Sequence, residues 1–226
     1  MSHVELFIDP VCPYCWQTAA WLRQVERLGG AQVTWRFISL RFVNEARGYD
    51  GAPPRYPEVH RQGTRLLRVL AAARQHAGNE AVARLYARLG TELWEVAPPP
   101  PGDLDAILEV HAAGRDVRPA LADVGLPEGL ATALDDEAYD EVLRRETEEA
   151  LRRAGEDVGT PVIAFDPPDG PAFFGPVIAE LPSDEDALAL FAALEQLARW
   201  PGFAELKRSQ RGLPALPMLA GLAEGR

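Results

Sequence analysis

Residues 3–8 alternate apolar and polar side chains and then run apolar through Leu6-Phe7-Ile8, which predicts a strand buried on at least one face. Asp9-Pro10-Val11 breaks it. From Pro13 to Leu28 the spacing turns helical: Trp16, Ala19, Ala20, Leu22 and Val25 form an apolar face, and Gly29-Gly30 ends it. Alternation returns from Gln32 to Ser39 and predicts a second strand. The start of the chain therefore reads β–α–β, with Cys12 at the strand-to-helix turn.

Residues 47–57 (Arg-Gly-Tyr-Asp-Gly-Ala-Pro-Pro-Arg-Tyr-Pro) read as a loop by composition. A long helical region follows. Val82, Leu85, Tyr86, Leu89 and Leu93 recur at helix spacing, as do Leu104, Ile107 and Leu108 behind the cap Asp103, and Tyr139, Val142, Leu143 and Ala150 mark another helix. The Pro98–Pro101 run is a stiff connector between helices. Pro161–Phe165 and Ala172–Gly175 flank a Pro/Gly/Asp turn and predict an antiparallel hairpin. Ser183, with Asp186 three positions on, opens a last helix whose expected apolar face is Leu190, Phe191, Leu194, Leu197 and Ala198.

The order is βαβ, a helical stretch, then ββα. The expected organisation is a unit formed by residues 1–46 and 156–226, with residues 47–155 as an inserted helical subdomain. No internal repeat is visible.

Composition narrows the function. Hydrophobic residues make up 47% of the 226 and charged residues 25%, an ordinary soluble globular balance. A formal net charge of −11 gives no footprint for nucleic-acid binding and argues against anionic membranes. The amino terminus shows no basic region followed by an apolar stretch and cleavage site, and no segment is apolar enough to span a bilayer. The expectation is a cytoplasmic protein.

There are two cysteines, Cys12 and Cys15, and four scattered histidines (His3, His60, His76, His111), so neither a disulfide scaffold nor a metal site is expected. A C-x-x-C pair following a strand in a cytosolic chain reads as a redox motif. A thiol attacks only as its thiolate, and a helix amino terminus favours that form. Cys12 is expected at the cap with Pro13 as the first helical residue, a position that suits proline. Cys15 lies one turn further on the same face, near enough to close a disulfide. The plainer reading is two buried cysteines packed as small hydrophobes.

Phe7-Ile8-Asp9-Pro10-Val11-Cys12-Pro13-Tyr14-Cys15-Trp16 resembles the active-site segment of the DsbA-like thioredoxin superfamily, and Asp157-Val158-Gly159-Thr160-Pro161-Val162-Ile163 is similar to its cis-proline loop. Within that superfamily the chain resembles the actinobacterial mycothiol-dependent nitroreductases, also called mycoredoxin-like. Ser39-Leu40, Asn44-Glu45, Gly155–Pro161, Phe173–Val177 and Phe203-Ala204-Glu205-Leu206-Lys207-Arg208 carry that likeness.

The resemblance implies an α/β thioredoxin fold with a large helical insertion, Cys12 as nucleophile, Cys15 as resolving thiol, and a cis Pro161 beside the sulfurs, from where Thr160 is expected to offer its hydroxyl to the Cys12 sulfur. It makes Pro13, Tyr14, Asn44, Thr160 and Pro161 the expected substrate contacts. A further pocket tyrosine of the family aligns with either Tyr56 or His60, and the choice stays open. Trp16 faces the core by helix spacing. Pro13-Tyr14 is also the dipeptide common in glutaredoxins, which work with low-molecular-weight thiols.

The expected function is a thiol–disulfide oxidoreductase that uses a low-molecular-weight thiol, mycothiol or an equivalent, to reduce mixed disulfides or small electrophiles such as nitroaromatics. No flavin or nicotinamide motif is visible, so no bound cofactor is expected, and a homodimer is left open. The alternative is a DsbA-like protein disulfide oxidase or isomerase, which a reducing compartment disfavours. A kappa-class glutathione transferase or isomerase-like enzyme shares the inserted helices but has no need for Cys15.

Overall fold

The computed structural model describes residues 1–223. Strand β1 (Ser2–Ile8), helix α1 (Pro13–Arg27) and strand β2 (Ala31–Phe37) form the opening unit, with β1 and β2 parallel and Leu6 opposite Trp35. On the other side of β1, β3 (Val162–Phe165) runs antiparallel, and β4 (Ala172–Phe174) turns back along β3. The sheet order is β2-β1-β3-β4. The central strand β1 has Val4, Leu6, Phe7 and Ile8 fully buried, because helices cover both faces of the sheet.

Between β2 and β3 lie α2 (Leu40–Arg47), α3 (Tyr56–Trp94), α4 (Leu104–Ala112), α5 (Arg118–Asp123) and α6 (Asp140–Ala154). After the hairpin come α7 (Asp184–Ala198) and a short terminal helix, α8 (Ala220–Ala223). The expected caps are present: Asp103 accepts the Ala106 N–H at 2.9 Å and Ser183 the Asp186 N–H at 3.1 Å. The expected loop ends at Tyr56, with Pro57 in the first turn of α3. Helix α2 follows β2 so closely that the apolar pattern runs on without a break, and its existence comes only from the structure.

Helix α3 changes direction at Ala77–Gly78, where Gly78 has φ +78°. The bend delivers Asn79 to the outer edge of β2, where its amide accepts from Trp35 N–H at 2.9 Å and donates to Trp35 C=O at 2.8 Å. Glu26 and Glu146 accept the N–H groups of Val33 and Phe37 at 2.9 and 2.8 Å. Side chains from α1, α3 and α6 thus occupy the edge positions that another strand could otherwise pair with.

Helix α1 is buried on two sides. Trp16 meets Tyr86 of α3 edge-on at 5.8 Å, while Trp21 packs against Phe191 of α7 and donates its indole N–H to Ala187 C=O. Helix α7 corrects one expectation: its buried seam is Ala187, Phe191 and Ala198, and Leu190 and Leu197 lie at its exposed margin.

Trp16 and α3 approach closely because position 90 is glycine. A Cβ there would stand 2.1 Å from the indole ring. Gly90→Ala must displace Trp16 and with it the indole N–H bond to Glu95. The expected cost is about 1–3 kcal/mol, read as a lower urea midpoint at unchanged slope; an unaltered midpoint would contradict this packing.

Candidate active site

The turn between β1 and α1 is held by backbone and buried groups. Asp9, fully buried, accepts the Val11 N–H through one carboxylate oxygen at 3.0 Å and the Leu40 N–H through the other at 2.8 Å. Burial pushes its pKa up to about 7 against the opposing pull of these two N–H groups. Trp94 at the end of α3 donates its indole N–H to Pro10 C=O at 3.0 Å. Gly63 passes so near that a Cβ would lie 2.6 Å from the Asp9 carboxylate. The turn is therefore gripped from α2 and from both halves of α3.

On this base Cys12 is the N-cap of α1, in extended conformation, and its sulfur accepts the Cys15 N–H at 3.4 Å. Pro13 occupies the first helical position, as expected. Both cysteines are free thiols; Cys12 is 6% exposed and Cys15 is fully buried.

The two sulfurs differ electrostatically. The Cys12 thiol is held below its ordinary value, first by the hydrogen bond from the Cys15 thiol, then by the Thr160 side chain and the Cys15 N–H, and these outweigh its burial. The Cys15 thiol is pushed well above the ordinary value, by burial first and then by its bond to Cys12. The largest stabiliser of the Cys12 thiolate is Cys15 itself.

Facing the sulfurs is the Thr160–Pro161 peptide, which is cis. The Thr160 carbonyl lies 3.9 Å from Cys12 Sγ, Gly175 N–H donates to Pro161 C=O at 2.8 Å, and Thr18 of α1 donates to Pro176 C=O at 2.7 Å. Cys12, Cys15, Pro13, Thr160 and Pro161 are thereby brought together. Tyr14 is half-buried, and its hydroxyl donates to Gly212 C=O at 3.1 Å, a carboxy-terminal partner with no signal in the sequence.

Asn44 sits on α2 with its amide donating to Leu40 C=O, in its own helix, at 2.7 Å. Tyr56 and His60 need not compete for one place. Their rings are 5.5 Å apart, and Tyr49 joins them, its hydroxyl 3.0 Å from His60 Nδ1. Tyr56 packs with the cluster of Val59, Leu108 and Val11, the residue directly before Cys12. Burial holds His60 neutral, with a pKa lowered to about 4.

Asp9 and Tyr49 were not anticipated as site residues. An acid directly before the motif's turn could have drawn attention to Asp9; nothing local marks Tyr49. Among the described residues there is no group of His, Cys, Asp or Glu suited to a metal ion. Nor, among them, is any helix long and apolar enough to cross a membrane.

Residues 11–208 match the model of the Rv2466c-like family, described as mycothiol-dependent nitroreductase Rv2466c. The chain belongs to this family. It is thus a thiol-dependent oxidoreductase of DsbA-like thioredoxin fold, drawing on a low-molecular-weight thiol. The chain is also similar to the uncharacterized protein Rv2286c of Mycobacterium tuberculosis (strain ATCC 25618 / H37Rv), with 29% identity over 92% of this chain and 82% of that protein. Among solved structures, it resembles the cytosolic disulfide reductase DsbM from Pseudomonas aeruginosa (19% identity, 87% of this chain and 100% of that one, TM-score 0.50). It also resembles a 2-hydroxychromene-2-carboxylate isomerase (18% identity, 87% and 96%, TM-score 0.52). At such identities these two structures bear on the fold alone.

The side-chain contributions to Cys12 can be ranked by substitution. Thr160→Val should raise the Cys12 pKa, and Cys15→Ala should raise it further. Ultraviolet thiolate absorbance against pH measures both; an unmoved midpoint in Thr160→Val would remove the hydroxyl from the account.

Proposed function

We propose that this chain uses a low-molecular-weight thiol, mycothiol or an equivalent, to reduce mixed disulfides or small electrophiles such as nitroaromatics in a reducing cytoplasm. The observation that carries the proposal is the inequality of the two sulfurs: Cys12 is the more acidic and the one solvent reaches, while Cys15 is sealed beneath it and kept protonated.

In this reading the Cys12 thiolate attacks a mixed disulfide, forming a bond to one sulfur and expelling the other as a thiolate. Cys15 then loses its proton and attacks Cys12, closing the Cys12–Cys15 disulfide and releasing the captured thiol. The substrate has gained two electrons and the dithiol has lost them. Two molecules of the low-molecular-weight thiol restore the dithiol and leave as their own disulfide. With a nitroaromatic the same two electrons and two protons take the nitro group to nitroso and water.

Pro13, Tyr14, Thr160 and Pro161 would line the substrate's approach, with Asn44 and the Tyr49–Tyr56–His60 group as an outer wall. Tyr14 could stack on a flat aromatic substrate. Residues 1–46 and 156–226 act in this proposal as the thioredoxin unit, and 47–155 as the insertion that encloses it. The alternative, a protein disulfide oxidase, gains no specific observation.

The flavin-free protein, given its cell's own low-molecular-weight thiol, should reduce a nitroaromatic, followed as loss of the nitro chromophore. Cys12→Ser should abolish this. Given a mixed disulfide, Cys15→Ser should still attack it through Cys12, expel one sulfur as a thiolate, and accumulate the unresolved Cys12 adduct, visible as added mass. Reversed fates of the two variants would exchange the roles. Rapid oxidation of reduced unfolded ribonuclease without thiol-dependent nitro reduction would favour the protein oxidase.

A further inference from the structure

The segment after α7 carries the Phe203–Arg208 stretch that the redox chemistry leaves unused. It leaves the helix at Ala198 and lays the Phe203 ring against Phe173 of β4 at 5.7 Å. It then runs exposed to the Arg211 guanidinium, 5.6 Å from the ring of Phe174. A Cβ at Gly159 would touch the Phe174 ring at 3.7 Å, so Phe174 lies against the residue before Thr160.

At the next residue, Gly212 C=O takes the Tyr14 hydroxyl. The chain therefore crosses from the flank of the Thr160–Pro161 loop to the turn that carries both cysteines. Beyond the crossing it is anchored. Ala215 N–H donates to Ala179 C=O at 2.7 Å, and Leu216, Met218 and Leu219 are buried. Within the crossing, among the described residues, no backbone N–H from Ala204 to Leu213 is bonded to a protein acceptor. The segment is held at its ends and at the Tyr14 crossing, without being woven into the sheet.

We infer that residues 203–214 are a specificity strap that closes one flank of the Cys12 site and excludes polypeptide disulfides. This rests on the reading of the site as one for small thiols and names the element that makes it so. A polypeptide must lie extended beside the cis-proline loop to bring its sulfur to Cys12, where main-chain pairing would hold it. The strap occupies that side between Phe174 and Tyr14. A small thiol needs only the opening above Cys12. Because few backbone bonds fasten the crossing, lifting it should change selectivity without unfolding the protein.

The test lifts the strap by substitutions outside the cysteines, Tyr14 and the cis-proline loop, so that the Tyr14 side chain stays while its bond to Gly212 C=O is given up. In Gly212→Leu the new side chain is wedged against Ala179, whose Cβ would be 3.3 Å from a Cβ at position 212. In Ala215→Pro the bond to Ala179 C=O is removed. Each reduced variant is mixed with a chromogenic disulfide of a low-molecular-weight thiol and, separately, with a disulfide-bonded unfolded peptide. Trypsin cleavage after Lys207, Arg208 and Arg211 reports release of the strap.

Both variants should be cut faster. They should react with the peptide roughly tenfold faster, equivalent to about 1.4 kcal/mol, while the small disulfide reacts at nearly the wild-type rate. An unchanged ratio of the two rates in a trypsin-sensitive variant overturns the inference. So does a strap that neither substitution releases, because the contacts named here would then not be what holds it. A wild-type protein that ignores the small disulfide and reacts rapidly with the peptide would instead sink the thiol reading itself.

Discussion

The first turn of α1 is capped by sulfur, with the Cys15 N–H directed at Cys12 Sγ where a helix more often presents an N–H to a Ser or Asp oxygen. The unpaired N–H groups of a helix start favour negative charge. The proposed nucleophile therefore serves as a structural cap, and the cap is most effective when it is a thiolate. Cys15 adds its thiol to the same sulfur, so the partner that lowers the Cys12 pKa is also the group positioned to close the disulfide. Acidity at one sulfur is obtained by keeping the proton on the other.

This arrangement holds only while the turn is immobile, and most of the fold bears on that. Asp9 binds the amides of Val11 and Leu40, Trp94 binds Pro10, and Gly63 lets α3 press on the carboxylate. Further away, Asn79, Glu26 and Glu146 close the β2 edge. Glu5 is buried between Arg36 and Arg153, pairing β1 with β2 and α6. The inserted helices therefore clamp the strand that ends in the cysteine-bearing turn as well as covering it.

The sheet, the hairpin and the cysteine pair were legible because each is written locally: alternation for the strands, Gly29-Gly30 for the end of α1, and Ser183 for the start of α7. Local pattern also announced Pro13 at the first helical position. What it concealed depends on distant partners. Glu5 stands at a polar position of an alternating strand and reads as solvent-facing until Arg153 of α6 arrives over it. Leu190 and Leu197 look like core, yet α7 buries the narrower seam that fits against Trp21. The crossing at Tyr14 is set by a glycine carbonyl near the carboxy terminus, and a backbone acceptor leaves no mark on residue type. The Tyr49–His60 pair is likewise made by a loop folding back on α3.

The inequality of the two sulfurs is tested most directly by residue-by-residue alkylation of the reduced protein. Iodoacetamide is applied briefly across a pH series, and labelling at Cys12 and Cys15 is quantified separately by peptide mass. Cys12 should be labelled with a midpoint below that of a free cysteine, while Cys15 stays unlabelled at neutral pH. Equal labelling of both residues, with a common midpoint at the free-cysteine value, would contradict it.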